Sequence, residues 1–124
     1  MHLRGNQANI IHKWQDEARK TGQLSVWNNA EQIKRDWVWV GDVCKVHIDF
    51  IKNVHGSGIW NVGSGLAHSY LDIAEAVAEQ ENAEIKVVES NGSDIRYKTC
   101  ADLTLLKATI GKRQWLNVFE YINR

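Results

Sequence analysis

The chain has 124 residues, and 15 Lys plus Arg balance 15 Asp plus Glu, so the formal net charge is zero. An apolar fraction of 44% with 24% charged residues is that of a folded globular protein and argues against general disorder. Charge gives no reason to expect a nucleic-acid partner. No apolar run approaches the ~20 residues that cross a bilayer, and no secretory leader is read at the start, so a single cytoplasmic unit over residues 1–124 is expected. Cys44 and Cys100 are too few and too far apart for a disulfide framework and read as reduced thiols.

In chain order, residues 6–21 read as a helix, with Ile11, Trp14 and Ala18 at i, i+3 and i+7 and Gly22 placed to end it. A strand follows at Leu24 to Trp27, then a polar turn, Asn28-Asn29-Ala30-Glu31. The β-formers Trp37-Val38-Trp39-Val40 read as a buried strand. Asp42 then caps a helix with a stripe of Val43, Val46, Phe50, Ile51 and Val54. Ile59 to Val62 reads as a strand and Gly63-Ser64-Gly65 as a tight turn. Ser69-Tyr70-Leu71-Asp72 resembles a capping box opening a helix with Tyr70, Ile73 and Val77 on one side. Ile85 to Val88 is the next strand, followed by a loop at Asn91-Gly92-Ser93. Asp102 opens a short helix through Leu103, Leu106 and Ile110, and a last helix packs Trp115, Val118, Phe119 and Ile122. Strands alternating with helices define an α/β fold.

The chemistry these residues offer is limited. Ser57, Ser64 and Ser69 lie near His55 and His68 in sequence, but no nucleophile elbow is present. The five histidines show no zinc spacing, and His47 reads as a half-buried packing residue. The six tryptophans read first as core, each with an N–H that needs an acceptor. Gly63-Ser64-Gly65 stands where backbone N–H groups could hold a phosphate, yet a lone G-x-G is more simply a structural turn. Arg35, with Lys34 beside it, either grips a phosphate with two parallel hydrogen bonds or pairs with Asp36 or water.

Three segments resemble one family. Arg35-Asp36-Trp37-Val38-Trp39-Val40-Gly41-Asp42-Val43 is similar to the R-D-[FYW]-[VI]-x-V-x-D-[VL] signature of extended short-chain dehydrogenase/reductases, the nucleotide-sugar epimerases and dehydratases. Gly58-Ile59-Trp60-Asn61-Val62-Gly63-Ser64-Gly65 looks like their G-x-[FY]-N-[LV]-G-[ST]-G strand and turn, and Ala101-Asp102-Leu103-Thr104 like the A-D-L-x of a late helix. The resemblance implies the C-terminal, substrate-binding part of such an enzyme, without its N-terminal Rossmann half. It implies that Arg35 holds the diphosphate of a nucleotide-diphosphate sugar, and that Arg96, Tyr97 and His12 contact the same substrate. Trp27 and Asn28 stand in a pocket-lining segment where the family has F-E-G-S, so only the aromatic residue is kept.

It further implies an NADP or NAD cofactor bound mainly by a segment absent here, because no glycine-rich dinucleotide fingerprint is present. The family's catalytic Tyr-x-x-x-Lys is also missing: Ala74 and Ala101 follow Tyr70 and Tyr97, and Tyr121 has no residue four places on. The expectation is a chain inactive alone, partnered with a Rossmann-half polypeptide, with no nucleic acid or membrane involved. A stand-alone nucleotide-sugar binding module or a degenerate remnant are the alternatives. An unpaired edge at Ile59 to Val62 would further favour self-association into a homo-oligomer.

Overall fold

A computed structural model describes residues 9–89 and 98–123. Helix α1 spans Ile10–Thr21, its first N–H groups bonded to the Asn9 side chain at 2.9 and 3.4 Å. It ends on Gly22 at φ 76°, a left-handed conformation that glycine adopts without a steric penalty. Strand β1, Gln23–Trp27, points Leu24 and Val26 inward and runs parallel to β4, Glu84–Val88. Their register pairs Leu24 with Ile85 and Trp27 with Val88.

Helix α3, Tyr70–Glu81, opens as its sequence predicts, with the Ser69 hydroxyl accepting from the Asp72 N–H at 3.0 Å. Its buried Ile73, Ala74, Val77 and Ala78 meet Ile11, Trp14 and Ala18 of α1, the inward face of β1, and Val118 and Ile122 of α5 (Val118–Ile122). This is the main core. The Trp14 indole is buried within it and donates to the Ser25 carbonyl at 3.0 Å, a core tryptophan with its polar atom satisfied.

The second sheet departs from expectation. Strand β2 is Lys34–Asp36, antiparallel to β3, Ala67–Ser69, and the ladder stops before the Trp-rich run. Trp37 instead turns its indole N–H onto the His68 carbonyl at 3.1 Å, and the Trp39 carbonyl accepts from the Asp42 and Val43 N–H groups. Those bonds end the extended segment, and helix α2 begins at Val40 and runs to Lys52. Asp42 therefore lies inside the first turn rather than at the cap. It is 4% exposed, and its carboxylate accepts from the Leu116 N–H at 2.7 Å.

The α2 stripe is shorter than the sequence suggested. Val46 is buried and Val43 and Phe50 half-buried, whereas Ile51 and Val54 are exposed, as is His47. Ile59 to Val62 forms no strand among the described residues, so the edge expected to drive self-association is not a paired strand's edge. Its burial still alternates, with Trp60 and Val62 half-buried and packed on Val46, Leu103 and Leu106. Helix α4, Thr104–Ile110, follows Asp102, whose carboxylate accepts from the Thr104 N–H at 3.0 Å and hydroxyl at 2.7 Å. The Thr104 hydroxyl and N–H hold the Asp102 carboxyl below its usual range. Trp115 precedes α5 and packs on this second, smaller cluster. The expected loop at Asn91-Gly92-Ser93 lies outside the described residues.

Candidate functional site

The β2–β3 pairing decides where the signature residues go. Arg35 faces His68 across the ladder and Asp36 faces Ala67, which brings Asp36 beside the turn that leads into β3. One carboxylate oxygen of Asp36 accepts from the Ser64 N–H at 2.9 Å and the Ser64 hydroxyl at 2.7 Å. The other accepts from the N–H groups of Gly65 at 2.9 Å and Ala101 at 3.2 Å.

Burial pushes the Asp36 pKa up, but the Ser64 hydroxyl and the three backbone N–H groups outweigh it and leave the carboxyl below its usual value. The anion held by the glycine turn is thus the protein's own. A side chain at Gly63 is excluded, since a Cβ there would lie 2.6 Å from Asp36 Oδ2 and 2.7 Å from the Ala101 Cβ. The Ser64 and Gly65 N–H groups of the turn are therefore already bonded to Asp36. The nicotinamide cofactor implied by the resemblance has no cradle in this turn.

Arg35 is left to other contacts. It donates to the Lys34 carbonyl at 2.9 Å, and its guanidinium lies 5.7 Å from the centre of the Tyr70 ring. Tyr70 in turn meets Trp37 at 5.5 Å and Trp14 at 6.1 Å between ring centres, so the cation rests on an aromatic cluster rooted in the main core. Lys34 forms a parallel bridge to Lys98 and accepts from the Thr99 N–H at 3.1 Å. Lys34 and Lys98 are therefore neighbours across that bridge and both are exposed, whereas Arg35, the next residue along β2, turns to the other face of the strand.

The other candidates are spread over neighbouring elements. Trp27, 37% exposed, and Asn28 stand at the C-terminal end of β1, where the Asn28 N–H donates to the Val88 carbonyl at 2.8 Å. His12 on α1 is half-buried and bonds through Nε2 to the Tyr121 hydroxyl at 3.2 Å. Arg96 and Tyr97 lie outside the described residues, immediately before Lys98. A cavity of about 200 Å³ is lined by Trp37, Ser64, Leu66, His68 and the segment Trp115 to Val118. None of His12, Trp27, Asn28 and Arg35 lines it.

Sequence reading missed two carboxylate centres. The sequence marks Asp36 as a neighbour of Arg35 and a member of the family signature, and its tie to residues 63–65 becomes visible once the β2–β3 register is known. Asp49 on α2 accepts from Arg113 and pairs with His55 Nε2 at 2.6 Å. The His55 contact, with Arg113 and Asn53 adding to it, holds the Asp49 carboxyl below its usual range against some desolvation. Asp42 and Asp49, seven residues apart on one helix face, thus both hold the segment from Arg113 to Leu116, of which Trp115 and Leu116 line the cavity.

This is the α/β fold of the C-terminal part of extended short-chain dehydrogenase/reductase epimerases, as the three sequence segments implied. The chain is similar to ADP-L-glycero-D-manno-heptose-6-epimerase of Brachyspira hyodysenteriae, with 28% identity over 120 residues, spanning 93% of this chain and 37% of that protein. An epimerase from Methanothermobacter thermautotrophicus superposes with a TM-score of 0.86 at 18% identity, over 98% of this chain and 37% of its own. UDP-glucose 4-epimerase of Thermus thermophilus, solved as a complex with NAD, gives a TM-score of 0.74 at 22% identity, over 96% and 39%. No family model matches the chain. The chain spans well under half the length of these proteins.

Proposed function

We propose that the chain is the substrate-binding portion of a nicotinamide-dependent nucleotide-sugar epimerase, of the kind that acts on ADP-glycero-manno-heptose, and that it works in the cytoplasm. The observation that carries this reading is the Arg35 guanidinium seated on the Tyr70 ring beside the β2–β3 pairing. A planar guanidinium suits the paired oxygens of a diphosphate. Trp27, at the end of β1, offers an exposed ring to a sugar or base, with Asn28 beside it as a hydrogen-bonding group. Arg96 and Tyr97, the residues next to Lys98, complete the set together with His12.

In this reading the chain binds and orients substrate, and NAD or NADP is held by a Rossmann-half polypeptide outside it. Neither the cradle nor the acid/base pair of the redox step is assigned to residues of this chain. Occupation of the glycine turn by Asp36 supports that division of labour. Isothermal titration of the chain with ADP- and UDP-sugars tests the reading. Arg35→Ala is expected to weaken binding by about 1.5–3 kcal/mol, the contribution of a charge-assisted hydrogen bond. Equal affinity in the folded variant would refute it.

A further inference from the structure

Strand β4 is paired along one edge only. The Glu84 N–H donates to the Gly22 carbonyl at 3.0 Å, and the Val88 carbonyl accepts from the Asn28 N–H at 2.8 Å. Glu84, Lys86 and Val88 therefore turn their backbone groups toward β1, and those of Ile85 and Val87 point to the opposite edge. Among the described residues no strand lies along that edge, and neither Ile85 nor Val87 bonds elsewhere through its backbone. Val87 shares the inward face of the sheet with its register partner Val26, yet it is 65% exposed where Val26 is 2%. The core that covers β1 stops short of the outer side of β4.

A strand added there must match this alternation. Facing residues are either both odd-numbered, exchanging hydrogen bonds, or both even-numbered, with their side chains closer together. For a second copy of β4 running antiparallel, that leaves a few registers, and charge chooses among them. With the two-fold axis at Ile85, Glu84 stands opposite Lys86 on both sides of the axis. An axis at Glu84 sets two glutamates face to face, and one at Lys86 two lysines. An axis at Val87 leaves Lys86 facing Val88. Charged residues on an edge strand ordinarily deter pairing, but Glu84 and Lys86 deter the mismatched registers and favour one.

We propose that the outer edge of β4 is a self-association surface, and that its occupant is β4 of a second copy of this chain, antiparallel about an axis at Ile85. Ile85 then exchanges N–H and C=O bonds with Ile85 of the second copy, and the Val87 N–H donates to the Ala83 carbonyl across the axis. The Ala83 N–H is already bonded to the Ala78 carbonyl at 2.8 Å and takes no part. The exposed Val87 side chain is covered by Ala83 and Ile85 of the second copy, and the two small sheets join in the order β1-β4-β4-β1. The interface is isologous, so it closes on itself as a dimer. The edge at which copies meet is thus β4 and not residues 59–62, and the pairing is independent of nucleotide-sugar binding at Arg35.

Sedimentation velocity of the full chain, followed from micromolar to millimolar concentration, tests the pairing, and a monomer–dimer equilibrium is expected. Glu84→Lys and Lys86→Glu should each weaken the dimer about tenfold, because each sets like charges opposite one another on both sides of the axis. Combining the two substitutions in one chain should restore the parent affinity. So should an equimolar mixture of the two single variants, which again brings opposite charges together at every crossing. Both positions are exposed, so the urea midpoint of each variant stays that of the parent. Val87→Pro removes the edge N–H and fills its place with the ring while sparing the β1 ladder, and it should abolish the dimer. A chain that stays monomeric throughout, single variants that associate as tightly as the parent, or a mixture that fails to recover overturns the proposal. So does association that survives Val87→Pro.

Discussion

Replacing Asp36 by Asn perturbs the fold at the point where its second sheet, its glycine turn and the start of its late helix meet. The carboxylate accepts four hydrogen bonds from N–H and O–H groups, two on each oxygen, at 2.7 to 3.2 Å, and the Cys100 thiol stands 4.0 Å from Oδ2. An amide has one acceptor oxygen. If it is turned toward Ser64, its NH₂ faces the N–H groups of Gly65 and Ala101, donor against donor, and the opposite rotamer strands the Ser64 pair instead. Two bonds to a charged acceptor are lost either way. At roughly 1–2 kcal/mol each in this half-buried setting, Asp36→Asn should destabilise the chain by about 2–4 kcal/mol. That is a large share of the ~5–15 kcal/mol by which a domain of this size is stable.

Urea unfolding followed by tryptophan fluorescence reads the change as a lower midpoint at unchanged slope. The pH dependence gives a second signature. The folded-state pKa of Asp36 lies below the unfolded value, so its contribution is complete above about pH 4 and fades as pH falls through the folded pKa. The variant should lack that part of the acid dependence. A midpoint within about 0.5 kcal/mol of the parent, with an identical acid limb, would refute the assignment of Asp36 as the anion of the glycine turn.

Gly63→Ala should cost about 1–3 kcal/mol in the same unfolding assay, because its Cβ would sit 2.6 Å from Asp36 Oδ2. In a double-mutant cycle it should couple to Asp36→Asn, and strict additivity would count against the contact. His55→Ala should raise the Asp49 carboxyl toward its ordinary value, followed by the carboxyl carbon in an NMR titration. Since Asp49 titrates low in the folded chain, its contribution is present above about pH 4 and lost as pH falls through the folded value, and this loss should shrink in the variant. An unmoved titration would remove His55 from the cluster.

What was legible in the sequence is what depends on local order. Gly22 at the end of α1, the Ser69–Asp72 cap of α3 and the strand at Leu24 to Trp27 each follow from neighbouring residues, and each stands in the structure. The run Trp37 to Val40 shows the limit of propensity. Among the described residues its β-formers have no third strand to pair with, and the bonds of Asp42 and Val43 to the Trp39 carbonyl turn the chain into α2. Residues 59–62 have the right period for a strand, but period alone does not supply a partner.

The candidate site was legible only as residue types. Arg35 could be picked out as a phosphate-gripping group, but its seat on Tyr70 arises from a pairing far apart in sequence. Likewise, Asp36 and the glycine turn are separated by 28 positions and meet through the antiparallel register of β2 and β3.

The central claim is that a nucleotide-diphosphate sugar binds at the β2 end marked by Arg35. Its most direct test is an NMR titration of the chain with ADP-glucose and UDP-glucose, following the Arg35 Nε–H and the Trp27 indole N–H. The Trp60 indole, bonded to the Thr109 hydroxyl at 2.9 Å, serves as a remote reference. Saturable shifts at Arg35 and Trp27 with Trp60 unmoved are the predicted result. A silent Arg35, or shifts confined to Trp37 and Trp115 around the cavity, would contradict the account.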